Sequence, residues 1–254
     1  MNFDRMSSFF KGVSINGYDE LLNYEIVKYM TYTLDAISRS SGQGLYVIDY
    51  CKECFLYVSP NSLFLNGYTV EQVMKMGYLY YEKNLPPEDV DMLLEINSSG
   101  FEFFYKQPVE ERLKFTISYD FRLIRPNNLH LMVNHKLTPI LLTPQGDIWL
   151  SLCVVSLSTR NEPGNVFINK DGILHRYAYS FEGRKWKEDE IISLSNREIE
   201  ILRLSMHGLS NDQIAETAFI DINTVKFHKK NIFLKLNVKN IAKAIVFAQN
   251  NNIL

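Results

Sequence analysis

The sequence has few cysteines and no long hydrophobic run, and both shortages narrow the class of protein. Three cysteines in 254 residues is an odd number and too few for a disulfide framework, so we expect a reducing, cytoplasmic compartment. No run of about 18 apolar residues is present, so no membrane span is predicted. The first residues, MNFDRMSSFF, lack the apolar core of a secretory signal, and we expect none.

Acidic side chains are missing from the C-terminal end, since none follows Asp221. From Leu194 to Leu254 there are eight Lys or Arg against five Asp or Glu, whereas the remainder has 19 against 24. The formal net charge of −2 therefore hides a basic C-terminal part joined to an acidic remainder. This asymmetry predicts an anionic partner for the C-terminal part, either nucleic acid or an anionic membrane surface.

The N-terminal half begins with a predicted helix. Apolar side chains recur at steps of three and four between Tyr18 and Ser40, which indicates one apolar face. The β-rich segments LYVIDY and FLYVS follow, and CKEC between them predicts a hairpin turn. Residues 61–82 are expected to form short helices with turns at Gly67 and Gly77. LPPEDVDMLLEI predicts a helix that starts at two prolines.

Three long strands are predicted next. Between Leu113 and Leu123 the odd positions are apolar and the even positions polar, a period of two that is typical of a strand with one buried face. NNLHLMVNHKLTPI and GDIWLSLCVVSL are the other two strands, separated by the turn sequence TPQG. Such short connections favour antiparallel pairing. The pattern therefore predicts an antiparallel five-stranded sheet with helices.

The element order of two strands, a helical segment and three strands resembles that of a PAS domain. The resemblance is carried by GLYVIDYCKECFLYVSPNSLFLNGYTVEQV, by LPPEDVDML and by FTISYDFRLI with the two strands after it. It implies a sensory or dimerisation domain over residues 41–158, with a flanking helix over residues 1–40. Residues 159–190 are expected to be a linker containing a few short strands, because STRNEPGN is rich in turn-forming residues.

Residues 191–254 are predicted to form four short helices. Two of the expected N-caps are followed three positions later by Glu198 and Gln213, which completes a capping box in each case. The expected N-caps are Ser195, Ser210, Asp221 and Asn240. Short helices joined by tight turns are typical of a helix-turn-helix layout. The chain is thus predicted to be a multidomain α+β protein with an all-α C-terminal domain.

The third of these helices contains NTVKFHKKNIFLKL, with four lysines and no acid. Its apolar stripe of Val225, Ile232 and Leu236 is expected to pack inside the domain, against Leu202 and Ile214 among others. The remaining surface is basic, as a DNA major groove requires. A membrane-surface helix would need an exposed apolar face instead. Binding of a protein partner by the basic tail helices is the alternative to DNA.

Another face of the same helix is expected to carry Lys226, Lys230 and Phe233, with Lys229 beside them. The segment LSNREIEILRLSMHGLSNDQIAETAFIDINTVKFHKKNIFLKL is similar to the LuxR-type (NarL/GerE-like) DNA-binding domain over more than forty positions. In that family the Thr-Val-Lys helix enters the major groove, which implies a bacterial transcriptional regulator. The implied base-contacting residues are Lys226, Phe227 and Lys230. The implied phosphate-contacting residues are Thr224, His228 and Lys229.

Three positions depart from the family pattern. Asn237 replaces a usual Gly after the third helix, Asp221 replaces a common Ser cap, and Ile241 stands where Arg is frequent. Asp still caps a helix, and Asn tolerates a left-handed turn. In the family the fourth helix often dimerises, and an apolar stripe is available for it: Ile241, Ala244, Ile245 and Ala248. The expected partners are double-stranded DNA and a second copy of the chain, with RNA polymerase as a further candidate and no membrane.

Metal and redox sites are not predicted. Cys51 and Cys54 lack the second ligand pair of a structural zinc site, and they fall in a hairpin turn rather than before a helix. A redox sensor formed by these two cysteines is kept as a third hypothesis. His130 and His135 lie five apart in a strand, hence on opposite faces, and are expected to be ordinary sheet residues. Two further histidines have no ligand partner in sequence: His175 and His207.

Cofactors are not predicted either. YTVEQVMKM has no cysteine of the flavin-binding PAS motif, and residues 61–97 contain no histidine to ligate haem. A small organic ligand in the PAS-like core and a filled core used only for dimerisation both remain open. The antiparallel pattern does not match a phosphorylated receiver, and no kinase, Walker or hydrolase signature is present. We therefore expect a protein that is not an enzyme.

Overall fold

The computed structural model describes residues 8–10, 24–171, 175–190, 194–250 and 253–254. Its contacts divide the chain into two compact units. Unit 1 comprises Met1–Leu157 and Glu162–Asp189, and unit 2 comprises Ser158–Asn161 and Glu190–Leu254. Each unit has a hydrophobic core of its own.

The described part of unit 1 contains one eight-stranded sheet with the strand order β2-β1-β5-β4-β3-β6-β7-β8. Every strand pair from β2 through to β7 is antiparallel. The strands are β1 Gly44–Asp49, β2 Cys54–Val58, β3 Phe115–Ile124, β4 His130–Leu142, β5 Ile148–Leu157, β6 Gly164–Lys170, β7 His175–Ser180 and β8 Lys185–Glu190. The expected five antiparallel strands are confirmed as β1–β5, which are part of this wider sheet.

Five α-helices accompany this sheet in the described residues. They are α1 Glu25–Ser41, α2 Ser62–Leu65, α3 Val70–Met76, α4 Leu79–Asn84 and α5 Pro87–Tyr105. Pro87 occupies the first turn of α5, where its missing N–H has no intrahelical partner to lose. A capping box of Thr69 and Gln72 starts α3. The part of the first predicted helix before residue 24 lies outside the described residues.

Both faces of the sheet are buried because side chains alternate along β1. Tyr46 and Ile48 point into the main core, which helices α2–α5 cover. Leu45 and Val47 point to the other face, where Leu34 of α1 packs on them. The apolar side of α1 is therefore used within unit 1.

Two boundaries differ from the sequence expectation. Leu113 does not begin the third strand but lies in a 3₁₀ helix, Val109–Lys114, where it is 45% exposed. Helix α5 continues past the predicted LPPEDVDMLLEI segment to Tyr105. Its additional turns cover the sheet with Phe101 and Phe104, which are buried.

The segment 159–190, expected to be a linker with short strands, contains β6, β7 and β8. Strand β6 pairs with the edge of β3, with Ile117 opposite Ile168. The strands after it reach α5, since Trp186 Nε1 donates to the Ser99 carbonyl at 3.2 Å and Tyr179 Oη donates to Glu95 Oε1 at 2.9 Å. The sheet is therefore three strands wider than the expected one.

The described part of unit 2 contains four α-helices, as predicted. They are α6 Asn196–Met206, α7 Asn211–Thr217, α8 Ile222–Leu236 and α9 Ile241–Asn250. Both predicted capping boxes form, and Asp221 accepts from the Asn223 N–H as the cap of α8. Asn240 Oδ1 accepts from the Lys243 N–H at 2.9 Å, so it caps α9.

Of the helices in the described residues, none has the length and apolar character needed to cross a membrane.

Candidate nucleic-acid interface

Helices α7 and α8 form a helix-turn-helix pair that the core of unit 2 holds rigidly. Val225, Ile232 and Leu236 of α8 are fully buried, as are Ile214 of α7 and Leu202 of α6. The predicted apolar stripe and its packing partners are thus confirmed. Because this stripe is buried, the opposite side of α8 faces solvent.

The centre of the exposed side of α8 differs from the face predicted from sequence. At about 100° per residue, the line opposite the buried stripe passes through four exposed residues, Asn223, Phe227, Lys230 and Leu234. Lys226 is exposed at one border of this face. Phe233 packs partly against the core and does not belong to the face, which corrects its grouping with Lys226 and Lys230.

The six residues implied to contact DNA all lie on α8, and they fall into two sets by exposure. The three implied base-contacting residues are exposed: Lys226, Phe227 and Lys230. The three implied phosphate-contacting residues are half-buried: Thr224, His228 and Lys229. Long or aromatic side chains at the exposed positions can reach furthest from the helix axis. The exposed side chains can therefore enter a DNA groove, while the half-buried side chains beside them can contact the DNA backbone.

Lys229 has a second role that the sequence does not predict. Its Nζ donates to Asn211 Oδ1 of α7 at 2.7 Å, which links the two helices of the motif. Burial lowers the pKa of Lys229. Its ammonium group is thus held at the side of α8 rather than at the exposed centre.

The positive character of the α8 surface is local. Helix α8 contains no acidic residue, and the partial positive charge of its N-terminus adds to that of its lysines. Lys235 is neutralised by Glu198, whose Oε2 lies 2.7 Å from its Nζ. The lysines available to an anion are therefore at the N-terminal two thirds of the helix.

Sequence reasoning missed two exposed residues near the start of α8. Asn223 lies in the first turn, and an Asn amide can bond an adenine edge through two hydrogen bonds. Phe219, in the turn before α8, is 94% exposed and has a left-handed backbone with φ of 53°. The position of Asn223, two after the Asp221 cap, is the signal that could have identified it.

The turn after α8 follows the sequence prediction. Asn237 ends the helix in a left-handed conformation with φ of 50°, which Asn can adopt in place of the usual Gly. Its carbonyl accepts from Arg160 Nη1 at 3.1 Å.

The apolar stripe of α9 packs largely within unit 2. Ala244 and Ala248 are completely buried in the core of unit 2, and Ile241 and Ile245 pack against that core. Ala244 and Ala248 are therefore used in the core of unit 2, whereas Ile241 and Ile245 are only partly buried, and dimerisation through this helix stays a prediction.

The other residues singled out from sequence do not form a metal site. Among the residues that the structure describes, no group of three or more His, Cys, Asp or Glu side chains could hold a metal ion. Cys51 and Cys54 are half-buried and form no disulfide in the described structure, and burial raises the pKa of the Cys54 thiol, which makes it less reactive. His130 is exposed, whereas His135 is buried in the core of unit 1. The side chain of His175 lies outside the described residues.

The helical unit matches a known family. Residues 192–248 match the model of the bacterial regulatory proteins of the luxR family. The match spans α6, α7, α8 and nearly all of α9, including the six residues implied to contact DNA. Unit 2 thus contains a LuxR-type helix-turn-helix DNA-binding domain.

Two curated relatives each match about a quarter of the chain. The Fimbriae Z protein of Salmonella typhimurium is 41% identical over 61 residues, which is 24% of this chain and 29% of that protein. The transcriptional regulatory protein LiaR of Bacillus subtilis is 45% identical over 62 residues, again 24% of this chain and 29% of that protein. The chain spans about 29% of the length of these curated relatives.

Some solved structures resemble a larger part of the chain at low identity. The Vibrio cholerae VqmA dimer, described as a LuxR-type receptor, is 15% identical with a TM-score of 0.33, over 91% of this chain and 88% of that one. The PAS domain of a protein from Colwellia psychrerythraea is 14% identical with a TM-score of 0.37, over 52% of this chain and 96% of that one. These TM-scores are too low for an argument about fold or function.

Proposed function

We propose that the protein is a bacterial transcriptional regulator that binds double-stranded DNA through α8 and receives its signal or its dimer partner through unit 1. The observation that carries this proposal is the LuxR-family match over residues 192–248, together with an exposed α8 surface that is basic and free of acid. A regulator of this kind acts where the chromosome is, in the bacterial cytoplasm. It is not an enzyme, and RNA polymerase is a candidate partner once DNA is bound.

Base contacts are assigned to the exposed residues of α8 and phosphate contacts to its half-buried ones. Lys226, Phe227 and Lys230 reach outward and can meet base edges in the major groove. Thr224 and His228 lie at the side of the helix and suit phosphate oxygens. Lys229, which is hydrogen-bonded to Asn211, is also assigned a phosphate contact.

The test begins with selection of a preferred duplex from a random library by the full chain. Binding to the selected and a scrambled duplex is then measured by fluorescence anisotropy over a range of salt. Lys226→Ala should reduce the preference for the selected duplex, because a good base contact gives about 1–3 kcal/mol of discrimination. Lys229→Ala should weaken binding to both duplexes alike and reduce the salt slope by roughly 0.9 for each lost phosphate contact.

Two matched variants separate charge from structure. Asn211→Ala removes the hydrogen bond of Lys229 but keeps its charge, so the salt slope should remain that of the wild type. Lys106→Ala removes an exposed positive charge from unit 1, and its effect on both duplexes should be small. If no duplex is enriched, or if neither lysine variant on α8 loses affinity, the DNA-binding assignment of α8 is wrong.

Binding of a protein partner is the second candidate function. The exposed side of α8 includes two large apolar side chains, Phe227 at 58% exposure and Leu234 at 69%. Such a surface also suits a protein partner. This alternative predicts binding that is insensitive to salt, is lost in Leu234→Ser and requires no duplex.

A further inference from the structure

Unit 1 contains a cavity that the proposed DNA contacts do not use. Its larger part, of about 50 Å³, lies between α5 and strands β3–β6. The wall is almost entirely apolar, with Ile96 and Phe104 from the helix and Ile117, Leu137 and Ile168 from the sheet. Strand β6, the first of the three additional strands, supplies Ile168 and so helps to enclose this space.

A smaller polar part adjoins the apolar one. It has a volume of about 10 Å³ and is lined by Tyr46, Tyr81, Tyr119 and His135. Tyr50, Asn97 and Leu137 line both parts, so the two are neighbouring compartments. Together the two compartments therefore have an apolar part and a polar end.

His135 is the unusual group at the polar end. Its side chain is only 1% exposed, and its Nε2 lies 2.6 Å from Tyr46 Oη, which in turn contacts Tyr81 Oη. Its Nδ1 is buried and has no hydrogen-bond partner among the residues that the structure describes. Buried polar atoms are seldom left unpaired in proteins, because desolvation without a hydrogen bond is unfavourable.

The lining also defines which molecules can enter. Neither part of the cavity is lined by Asp, Glu, Lys or Arg in the described structure. Burial lowers the pKa of His135 to about 3, so the imidazole is neutral. A charged ligand would lose its hydration shell in the cavity without gaining an oppositely charged partner there. The larger part has room for on the order of four water-sized groups.

We propose that this cavity is a binding site for a small neutral molecule that has an apolar part and a hydroxyl or carbonyl group. The apolar part occupies the space against α5, and the polar group hydrogen-bonds to His135 Nδ1. A neutral imidazole can present Nδ1 as a donor or an acceptor, depending on its tautomer, and so can meet either group. The site's role as the signal input rests on the proposed regulatory function, but its occupancy does not.

Butan-2-ol is a suitable probe, since it is small and neutral with one hydroxyl, and butyrate is its charged counterpart. The full chain, labelled with ¹⁵N at histidine, is titrated with each while the side-chain nitrogen resonances are recorded. Butan-2-ol should shift the His135 Nδ1 resonance in a saturable way, with exposed His130 as the internal reference. Butyrate should leave it unchanged.

A variant that fills the cavity tests the location. A Cβ on Gly100 of α5 would lie 3.4 Å from Ile117 Cδ1, so the Gly100→Leu side chain enters the apolar part. Leu also favours a helix over Gly, which supports folding of the variant. Gly100→Leu should weaken binding of butan-2-ol at least about tenfold, because the two compete for the same space. Glu102→Leu, which adds an exposed Leu to the same helix, should bind as the wild type does.

The proposal fails if butan-2-ol causes no saturable shift at His135, if butyrate shifts it equally, or if Gly100→Leu binds as tightly as wild type. None of these outcomes depends on DNA. A chain that binds butan-2-ol but enriches no duplex would instead contradict the proposed function.

Discussion

At the scale of single residues, Glu198 connects the start of α6 to the end of α8. Its Oε2 accepts from the Ser195 N–H at 2.7 Å, from Ser195 Oγ at 3.0 Å and from Lys235 Nζ at 2.7 Å. Burial alone would raise the pKa of Glu198, but these hydrogen bonds outweigh it and hold the pKa below its ordinary value. The ionised carboxylate is therefore part of the folded structure of unit 2.

This arrangement predicts a dependence of stability on pH. Since the pKa of Glu198 is lower in the folded state than in the unfolded chain, its contribution is present above the ordinary Glu pKa of about 4.3. The contribution is lost as the pH falls through the folded-state value. Glu198→Gln should lower the free energy of unfolding of unit 2 by about 2 kcal/mol at neutral pH and by less in acid. Urea titration followed by circular dichroism at several pH values measures it.

Glu200→Gln is the matched control for this prediction. Glu200 lies on the same helix, is exposed and forms a surface ion pair with Arg197, so its replacement should change stability by less than about 0.5 kcal/mol. Equal effects of the two substitutions would show that Glu198 does not join α6 to α8.

At the scale of elements, the β7–β8 hairpin packs against α5 as part of unit 1 and is not part of a linker. The Trp186 ring lies 5.0 Å from that of Tyr179 and 5.7 Å from that of Phe103 on α5, measured between centroids. Its Nε1 also donates to the Ser99 carbonyl. The hairpin thereby holds α5 against the sheet, beside the cavity.

Trp186→Ala should therefore destabilise unit 1 by about 3 kcal/mol, as expected when a large packed side chain is removed. Trp149, in β5 and in contact with Tyr24, remains as the fluorescence reporter of unfolding in urea. Lys187→Ala, an exposed position on the same strand, should change stability by less than about 0.5 kcal/mol. A Trp186 variant as stable as the Lys187 variant would mean that the hairpin does not support the core.

At the scale of the whole molecule, α1 offers an exposed aromatic surface for dimerisation. Tyr29 and Tyr32 are 75% and 68% exposed and lie about one turn apart on this helix, on the side away from the sheet. On α9, by comparison, Ala244 and Ala248 are buried in the core of unit 2. A two-fold regulator should bind half-sites about one helical turn of DNA apart.

We expect the chain to have a mass of twice 29.6 kDa in sedimentation velocity, alone or on DNA. Replacing Tyr29 and Tyr32 together by Glu should raise the dissociation constant of the dimer at least about tenfold, because both rings would lie near the centre of the contact. The control replaces Met74 and Leu129 by Glu, two exposed apolar residues of unit 1 outside α1, and should remain dimeric. A strictly monomeric protein that protects a single half-site in footprinting would contradict dimerisation.

The sequence by itself determined the features that depend on neighbouring residues. The caps at Ser195, Ser210 and Asp221 are correct because a cap bonds N–H groups two or three residues away. The alternation in β3 and the apolar stripe of α8 are equally local, since each follows from the period of its own element. The basic, acid-free composition of α8 was likewise evident without a structure.

Only the tertiary structure decided which of these surfaces meet. The pairing of β6 with β3 joins segments about 50 residues apart, and no local period specifies such a partner. The same holds for the bond between Lys229 and Asn211, and for the burial of Ala244 and Ala248. His135 is one of many alternating strand residues in sequence. It becomes the polar end of a cavity because Tyr46, 89 positions away, lies in the same core, and contacts between distant residues depend on the whole fold rather than on the pattern of any one segment.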